Sequence, residues 1–219
     1  MPDATVFLVD DHPAILWGLR AALEQSPGIT VVGEAASLQA ALPQIYELHP
    51  RVLLVDYKLG QDSGADLAQA LAEMKNPPAI LFLSAYDHPG YMQRAYRSRA
   101  LGYLLKEAPM PQVARAVKRA GEGLPCWQDD QLARIHLWEE EVASAWASLT
   151  ERQQEIARLL GEGRRNQDIA EELGISVRTV EYHVANVLAG LGLRSRAEVA
   201  GWLAGLVIQV VEEAPTPAP

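Results

Sequence analysis

The sequence is poor in the features of secreted and membrane proteins. Its 219 residues include one cysteine, Cys126, so no internal disulfide can form, and a reducing compartment is favoured. No apolar segment reaches the ~18 residues that cross a bilayer. The amino terminus has neither the basic start nor the apolar stretch of a signal peptide. These absences predict a cytoplasmic protein with no membrane partner, and Cys126 is interpreted as inert packing or linker.

Positive charge is also scarce. The chain has 19 Lys and Arg against 28 Asp and Glu, which gives a formal net charge of -9. This balance argues against binding to nucleic acid through bulk charge, although it leaves room for a local site. The hydrophobic content of 49% is ordinary for a globular protein, and the length allows one large or two ordinary domains.

An apolar run that ends in a carboxylate lies at the centre of the first half of the chain. Residues 52–55 are continuously aliphatic, which is typical of a central parallel strand buried on both faces. Asp56 then lies at the carboxyl end of that strand, where open α/β sheets bind their ligands. Taken alone, a strand-ending aspartate is more often a turn or capping residue.

Three other apolar runs also end in polar side chains. They are residues 6–9 before Asp10 and Asp11, residues 79–83 before Ser84, and residues 101–105 before Lys106. Three neighbouring carboxylates would repel one another unless a cation neutralised them, and oxygen ligands suit Mg²⁺. A lysine and a hydroxyl opposite them could hold the oxygens of a transferred phosphoryl group.

With these positions, residues 3–122 resemble the receiver domain of two-component response regulators. The resemblance implies a set of roles: phosphoacceptor for Asp56, magnesium ligands for Asp10, Asp11, Asp56 and the backbone carbonyl of Lys58, switch hydroxyl for Ser84, switch aromatic for Tyr103, and phosphoryl-binding lysine for Lys106. It also implies that Tyr103 turns inward when Ser84 moves toward the phosphoryl group. Gly60 stands where the family often has a proline, which implies a looser loop.

Strand and helix patterns alternate five times over this half. Such connections force parallel pairing and right-handed crossovers. The predicted fold is therefore an α/β doubly wound, five-stranded parallel sheet, flavodoxin-like, over residues 1–122. Within it, Ser37 is a plausible N-cap for a helix that tolerates Pro43 only near its start. A break at residues 121–125 predicts a linker over 123–147, helical from about Gln131, and residues 209–219 are expected to be disordered.

The remaining residues, 148–208, predict a small all-α domain. Thr150 and Gln153 form a capping box for its first helix. Asn166 is expected to cap a second helix and Ser176 a third, over 177–191. Two helices joined by a short turn containing Gly174 form a helix-turn-helix.

The third helix has two different faces. One is an apolar stripe of Val180, Val184, Val187, Leu188 and Leu191. The opposite face carries Arg178, Glu181, Tyr182 and Ala185, which suit a DNA major groove because Arg can pair with guanine and Glu can accept from cytosine. The alternative is an ordinary solvated face. His183, between the two faces, is interpreted as a packed structural residue.

Residues 148–207 resemble a LuxR-type DNA-binding domain, through the segments 149–152, 166–170, 176–184 and 191–196. Together with the receiver this is the arrangement of the NarL/FixJ class. The resemblance implies DNA contacts from Asn166, Gln167, Ser176, Val177, Arg178, Thr179, Glu181, Tyr182 and Ala185. The family often has a lysine at position 181 and a basic residue at position 190, so phosphate binding must rest on a few arginines and on helix N-termini.

The last helical pattern places Val199, Trp202, Leu203 and Leu206 on one face. In the family the equivalent helix commonly forms the dimer contact, and the alternative is that this stripe only closes the small helical core.

The resulting hypothesis is a transcription regulator of which Asp56 is phosphorylated by a sensor histidine kinase, with Mg²⁺ as cofactor. Phosphorylation would control homodimerisation and sequence-specific binding to double-stranded DNA, with no enzymatic activity beyond the receiver's own phosphotransfer and slow dephosphorylation. One alternative is a constitutive dimer that binds DNA without phosphorylation. A Mg²⁺-dependent phosphatase would need a second carboxylate two residues after Asp56, where Lys58 stands. A third possibility is a helical domain that binds protein.

Overall fold

The computed structural model of the chain describes residues 3–60 and 62–203. The chain divides into two compact units, Met1–Ala133 and Arg134–Pro219. None of the helices in the described ranges is both long enough and apolar enough to span a membrane.

The first unit is a sheet covered by helices. Its strands are β1 (Ala4–Val9), β2 (Ile29–Ala35), β3 (Val52–Asp56), β4 (Lys58–Leu59), β5 (Asp62–Ser63), β6 (Ala79–Ser84) and β7 (Gly102–Leu105). Its helices are α1 (Pro13–Glu24), α2 (Leu38–Leu48), α3 (Gly64–Leu71), α4 (Pro89–Arg97) and α5 (Met110–Gly121). Five strands form one parallel sheet in the order β2-β1-β3-β6-β7. This confirms the predicted fold class.

Burial on both faces explains why the sequence of the central strand, β3, is continuously apolar up to Asp56. All five residues of β3 are buried, because helices cover both faces of a parallel sheet and leave no polar side. In the register, Val9 of β1 lies beside Val55, and Asp56 lies beside Leu83 of β6. The carboxyl ends of the strands therefore meet at one edge of the sheet, and the polar residues that follow them meet there too.

The segment after β3 differs from the prediction. Lys58–Leu59 and Asp62–Ser63 pair as a two-stranded antiparallel ribbon, which is too short to leave a periodic pattern. Helix α3 then begins at Gly64 through a capping box of Ser63 and Asp66. A Cβ on Gly64 would lie 2.5 Å from the backbone oxygen of Asp56, so glycine is required for this close approach to the acceptor strand.

The prediction for α2 was half right. Ser37 is its N-cap and accepts from the backbone NH of Ala40. Pro43, however, lies inside the helix, which runs from Leu38 to Leu48. The proline removes one backbone donor there, and its side chain is exposed rather than forced into the core.

The helices that follow are α6 (Asp129–Ser148), α7 (Glu151–Gly161), α8 (Asn166–Leu173) and α9 (Val177–Gly190), and residues 197–203 are also helical. The capping box of Thr150 with Gln153 and the Ser176 cap are confirmed. The predicted Asn166 cap is wrong by one residue. The N-cap is Arg165, the backbone NH of which donates to the Asp168 carboxylate at 3.1 Å, and Asn166 is the first helical residue.

The core of the second unit contains two of the four side chains that were predicted for dimerisation. Val199 is fully buried and Leu203 is 8% exposed, both inside a cluster that also contains Ile156, Ile169 and Val180. These two side chains close the helical core, as the alternative interpretation held. Because they are buried, they have no exposed surface for contact with a second copy. The assignment of Val199 and Leu203 to a dimer contact is therefore withdrawn.

Trp202, in contrast, is only partly buried. Its ring lies 6.0 Å from that of Trp146, and the guanidinium of Arg158 lies 5.2 Å from the Trp146 ring. Trp202 therefore remains a candidate for a dimer contact. Leu206 and the tail over residues 209–219 lie outside the described residues.

Candidate functional site

Two buried carboxylates form the centre of the site. Asp10 follows β1 and Asp56 ends β3, and they are 1% and 5% exposed. Carboxylate oxygens of Asp10, Asp11 and Asp56, together with a ring nitrogen of His12, lie within 4.8 Å of one another. The structure thus brings together the three aspartates that the sequence pattern placed at this edge.

Lys106 supplies the opposing charge. Its Nζ lies 2.7 Å from Asp10 Oδ2 and 2.7 Å from Asp56 Oδ2. The lysine follows β7, and its backbone NH donates to the carbonyl of Ser84 at 2.7 Å, which fixes the start of its side chain beside β6. The ammonium is therefore placed between the two buried carboxylates by the pairing of β6 with β7.

Burial and ion pairing act in opposite directions on the ionisation of these groups. Burial raises the pKa of Asp56 and outweighs its hydrogen bonds from Lys106 and from the Lys58 backbone. Burial alone would lower the pKa of Lys106, but its hydrogen bonds with Asp10 and Asp56 reverse that effect, and the pKa is raised. Burial therefore disfavours the ionised form of Asp56, while its neighbour Lys106 is held in the charged form.

Backbone donors hold the carboxylates in place. The NH of Lys58 donates to Asp56 Oδ1 at 3.2 Å, that of Gly60 to Asp11 Oδ2 at 3.1 Å, and that of His12 to Asp10 Oδ1 at 2.9 Å. The loop after β3 is therefore tied directly to the site, and Gly60 adopts a left-handed conformation there with φ +60°. Sequence reasoning missed His12, whose Nδ1 lies 2.7 Å from Asp11 Oδ1.

The oxygens of this cluster fit a hard divalent cation. Asp10 Oδ2 and Asp11 Oδ1 are buried, and each lies 2.7 Å from one side-chain nitrogen, Lys106 Nζ and His12 Nδ1 respectively. Buried carboxylate oxygens with lone pairs to spare are the ligands that Mg²⁺ prefers. The cluster is therefore compatible with the predicted magnesium site, and the role of the Lys58 carbonyl stays a prediction.

The two predicted switch residues are both buried. Ser84 is fully buried, and its Oγ accepts from the backbone NH of Tyr86 at 3.1 Å. Tyr103 is 1% exposed, and its hydroxyl donates to the Tyr86 carbonyl at 2.8 Å. Tyr103 thus occupies the inward position that the resemblance implies for the switch aromatic. Its burial raises the pKa of the phenol, so this hydroxyl remains a donor.

An aromatic wall, defined by Tyr57, Phe82, Tyr91 and Tyr103, lies next to the acceptor. The ring of Tyr57 is 5.1 Å from that of Tyr91, 5.5 Å from Phe82 and 6.1 Å from Tyr103. Burial raises the pKa of Tyr57, which agrees with its apolar surroundings. Sequence reasoning missed Tyr57 and Tyr91, because contacts between distant rings leave no local pattern.

Helix α9 of the second unit has the orientation that its sequence predicts. Val180 and Val187 are fully buried. Arg178, Glu181, Tyr182 and Ala185 are exposed, and Tyr182 is exposed by 66%. A large exposed phenol beside an exposed guanidinium is suited to contact with a partner.

The start of α9 offers polar groups and a hydroxyl network. Ser176 Oγ accepts from the Thr179 NH at 3.1 Å and lies 2.7 Å from Thr179 Oγ1. Val177 and Gln167 are exposed. Asn166 Oδ1 accepts from Arg196 at 3.4 Å, and Arg196 also donates to the carbonyl of Arg164. Arg196 therefore ties the start of α8 to the turn after α9.

His183 is partly buried, and its Nδ1 has no hydrogen-bond partner within the described ranges. The Tyr182 ring lies 5.6 Å from it. This packing is compatible with the structural interpretation of His183.

Two family models match the chain. The response regulator receiver domain matches residues 6–118, and the luxR family of bacterial regulatory proteins matches residues 147–203. Among curated relatives, the transcriptional regulatory protein LiaR of Bacillus subtilis is 32% identical over 200 residues, which cover 89% of this chain and 94% of LiaR. The response regulator protein VraR of Staphylococcus aureus is 28% identical over 193 residues, covering 88% of this chain and 92% of VraR.

Solved structures agree with both halves. The receiver domain of a response regulator NarL from Mycobacterium tuberculosis is 34% identical, has a TM-score of 0.54, and covers 56% of this chain and 99% of its own. RcsB of Salmonella enterica, solved bound to a promoter with the phosphomimetic BeF₃⁻, shares the fold with a TM-score of 0.67 and 23% identity, over 93% of this chain and 99% of its own. The chain therefore belongs to the NarL/FixJ-type response regulators, which join a receiver domain to a LuxR-type DNA-binding domain and regulate transcription.

Proposed function

We propose that a sensor histidine kinase phosphorylates Asp56 and that this modification controls DNA binding by the helical domain. The observation that carries the proposal is the position of Lys106 Nζ, 2.7 Å from both Asp10 and Asp56, at an edge where Ser84 also ends its strand. The proposed domains are a receiver over 1–122, a linker over 123–147 and a DNA-binding domain over 148–208.

The phosphotransfer assigns a role to each of these groups. An oxygen of Asp56 attacks phosphorus, the new P–O bond forms, and the P–N bond to the kinase histidine breaks. Lys106 then shifts its contact from the free carboxylate toward the phosphoryl oxygens, and Ser84 donates to one of them. Asp10, Asp11, Asp56 and the Lys58 carbonyl would hold Mg²⁺, which supplies positive charge against the phosphoryl oxygens. The chain has no proposed activity beyond this transfer and the slow loss of its own phosphoryl group.

In the proposed complex with DNA, α9 is the recognition helix of each copy of the chain. Exposed Arg178 and Tyr182 on α9 would enter the major groove, while the start of α9, with Ser176 and Thr179, would lie against the phosphates. A homodimer would present two such helices to two half-sites. A regulator that binds DNA in this way is expected to act in the cytoplasm.

One observation favours the alternative of a constitutive dimer. Tyr103 is buried in an inward position, where its hydroxyl donates to the Tyr86 carbonyl. If this position alone decides assembly, the protein would dimerise and bind DNA without phosphorylation.

The test of the acceptor is the intact mass of the protein after incubation with Mg²⁺ and a small phosphodonor such as acetyl phosphate. The wild-type chain should gain one phosphoryl group, whereas Asp56→Ala and chelation of Mg²⁺ should both prevent the gain. A matched control is Asp62→Ala, which changes a half-exposed carboxylate on the same loop and should leave the gain intact. Phosphorylated Asp56→Ala protein would refute the assignment.

A further inference from the structure

The segment that leaves the first unit covers the open edge of its sheet. Strand β7 is an edge strand, so some of its carbonyls have no neighbouring strand to pair with. Three carbonyls at that edge accept hydrogen bonds from the segment instead: Leu101 from the Cys126 NH at 2.6 Å, Ala100 from Trp127 Nε1 at 2.9 Å, and Tyr103 from Gln131 Nε2 at 2.9 Å. The start of α6 is thereby fastened to β7 within the first unit.

Two of these side chains contact the switch aromatic itself. The Trp127 indole is nearly parallel to the Tyr103 ring, with an interplanar angle of 17° and 6.5 Å between centroids. It also meets Tyr96 of α4 edge-on at 5.4 Å. Gln131 is 7% exposed, and a buried side-chain amide is costly unless both of its ends are bonded.

Both ends of Gln131 are bonded, each to a different element. Its Nε2 donates to the carbonyl of Tyr103, and its Oε1 accepts from the backbone NH of Gln128, at the start of α6, at 3.1 Å. The second bond is half of a capping box for α6. Gln131 thus joins the first turn of α6 to the backbone of the switch residue.

These contacts extend a route that begins at the candidate phosphoryl site. Ser84 Oγ accepts from the NH of Tyr86, the carbonyl of Tyr86 accepts from the Tyr103 hydroxyl, and the carbonyl of Tyr103 accepts from Gln131. Every step is a hydrogen bond of 3.1 Å or less. We propose that Trp127 and Gln131 are positioning residues that hold Tyr103 inward and transmit the occupancy of Asp56 to the first turn of α6.

This inference rests on the proposed function and predicts which part of the chain responds when Asp56 is occupied. Occupancy of Asp56 should tighten the arrangement of Ser84, Tyr86 and Tyr103, and α6 should become more stable at its start. Coupling between two sites is reciprocal. A substitution of Trp127 or Gln131 that destabilises the start of α6 should therefore weaken ligand binding at Asp56, at most by the factor with which ligand binding stabilises the start of α6.

The test uses the full chain, ¹⁵N-labelled, with Mg²⁺ and beryllofluoride as the probe. The ¹⁹F resonance of bound beryllofluoride reports occupancy, and the Trp127 indole NH, identified by its loss in Trp127→Leu, reports the stacking. Occupancy should shift that indole resonance and slow hydrogen exchange of the Leu132 and Ala133 amides by about fivefold or more.

Gln131→Glu separates signalling from helix capping. The glutamate keeps an acceptor for the Gln128 NH but has no donor for the Tyr103 carbonyl. It should still bind beryllofluoride while the slowing of exchange falls to less than about twofold. Trp127→Leu tests the stacking contact independently, should Gln131→Glu fail to fold. Trp17→Phe, at an exposed site on α1, is the matched control and should respond as wild type.

Three results would be decisive against the inference. A full exchange response in Gln131→Glu would overturn it, as would a wild-type protein that binds beryllofluoride without any response of Trp127, Leu132 and Ala133. The second result would leave Asp56 intact as the acceptor. Failure of the wild-type protein to bind beryllofluoride would instead overturn the proposed function and this inference together.

Discussion

At the scale of single residues, the ionised carboxylate of Asp56 lowers the stability of the folded protein, because burial disfavours its charge. A carboxyl of which the pKa is raised in the folded state contributes stability at acid pH, and this contribution is lost as the pH rises through the raised value. The metal-free protein should therefore be less stable at neutral pH than the same fold with a neutral group at position 56.

Asp56→Asn should raise the free energy of unfolding at neutral pH in the presence of a chelator, because it removes the buried negative charge. The gain should shrink toward zero as the pH falls below the ordinary range of a carboxyl, because both proteins are then uncharged at this position. Thermal unfolding across that pH range measures it. A variant less stable than wild type at neutral pH would contradict the direction of the shift.

Lys106→Met should have the opposite effect, because it leaves two buried carboxylates without their cation. We expect a loss of about 2 kcal/mol in the metal-free protein, since removing one partner of a buried pair leaves uncompensated charge. Addition of Mg²⁺ should narrow the difference, as the ion replaces the missing charge. Phosphotransfer should slow by about tenfold or more, because one group that holds the transferred oxygens is gone.

The control for Lys106→Met is Lys118→Met, an exposed lysine on α5. It should change neither unfolding nor phosphotransfer. Equal effects of the two substitutions would show that overall charge, rather than the contact with Asp10 and Asp56, is responsible.

At the scale of elements, α9 combines a buried face with an exposed one that is not basic. Glu181 lies exposed on the face that would meet DNA, where the phosphates repel a carboxylate. Glu181→Lys should therefore tighten binding to non-specific duplex DNA and steepen its salt dependence. Fluorescence anisotropy over a range of salt concentrations measures both, and an unchanged salt slope would place Glu181 away from DNA.

Arg178→Ala should weaken binding to a selected DNA site by about 1–3 kcal/mol if the guanidinium pairs with a base. Its side chain is exposed, so the stability of the helical domain should not change. Glu140→Ala, exposed on α6, is the matched control. Binding that is equally weakened for every sequence would instead assign Arg178 to a phosphate.

What could be predicted from the sequence at this scale depended on signals that are local. The buried parallel strands are continuous apolar runs in the sequence. Because each run is followed by a polar residue, the sequence predicted that Asp10, Asp56, Ser84 and Lys106 lie at one edge of the sheet. The Thr150 and Ser37 caps are likewise local. The prediction that Pro43 lies near the start of its helix was wrong. The Ser37 cap and the buried face of α2 determine where the helix begins, and they outweigh the loss of one backbone hydrogen bond at Pro43.

Contacts between distant positions were beyond the sequence. Nothing local pairs Gln131 with the carbonyl of Tyr103, because backbone carbonyls carry no sequence signature. The burial of Val199 and Leu203 could not be separated from a dimer surface either, since an apolar stripe predicts burial but not its partner.

At the scale of the whole molecule, the proposed phosphorylation would regulate transcription by changing how the chain assembles on DNA. The helical domain contributes few cations to an acidic chain, so a single copy should bind DNA weakly and two linked copies much more strongly. Control of dimerisation would then be control of transcription.

The most direct measurement is the molar mass in solution by light scattering, with and without Mg²⁺ and beryllofluoride, for wild type and for Asp56→Asn. The account predicts that the mass of the wild-type protein doubles only when both reagents are present and that the mass of Asp56→Asn does not respond. An unchanged wild-type mass, with beryllofluoride shown to be bound, would contradict the claim that occupancy of Asp56 controls assembly.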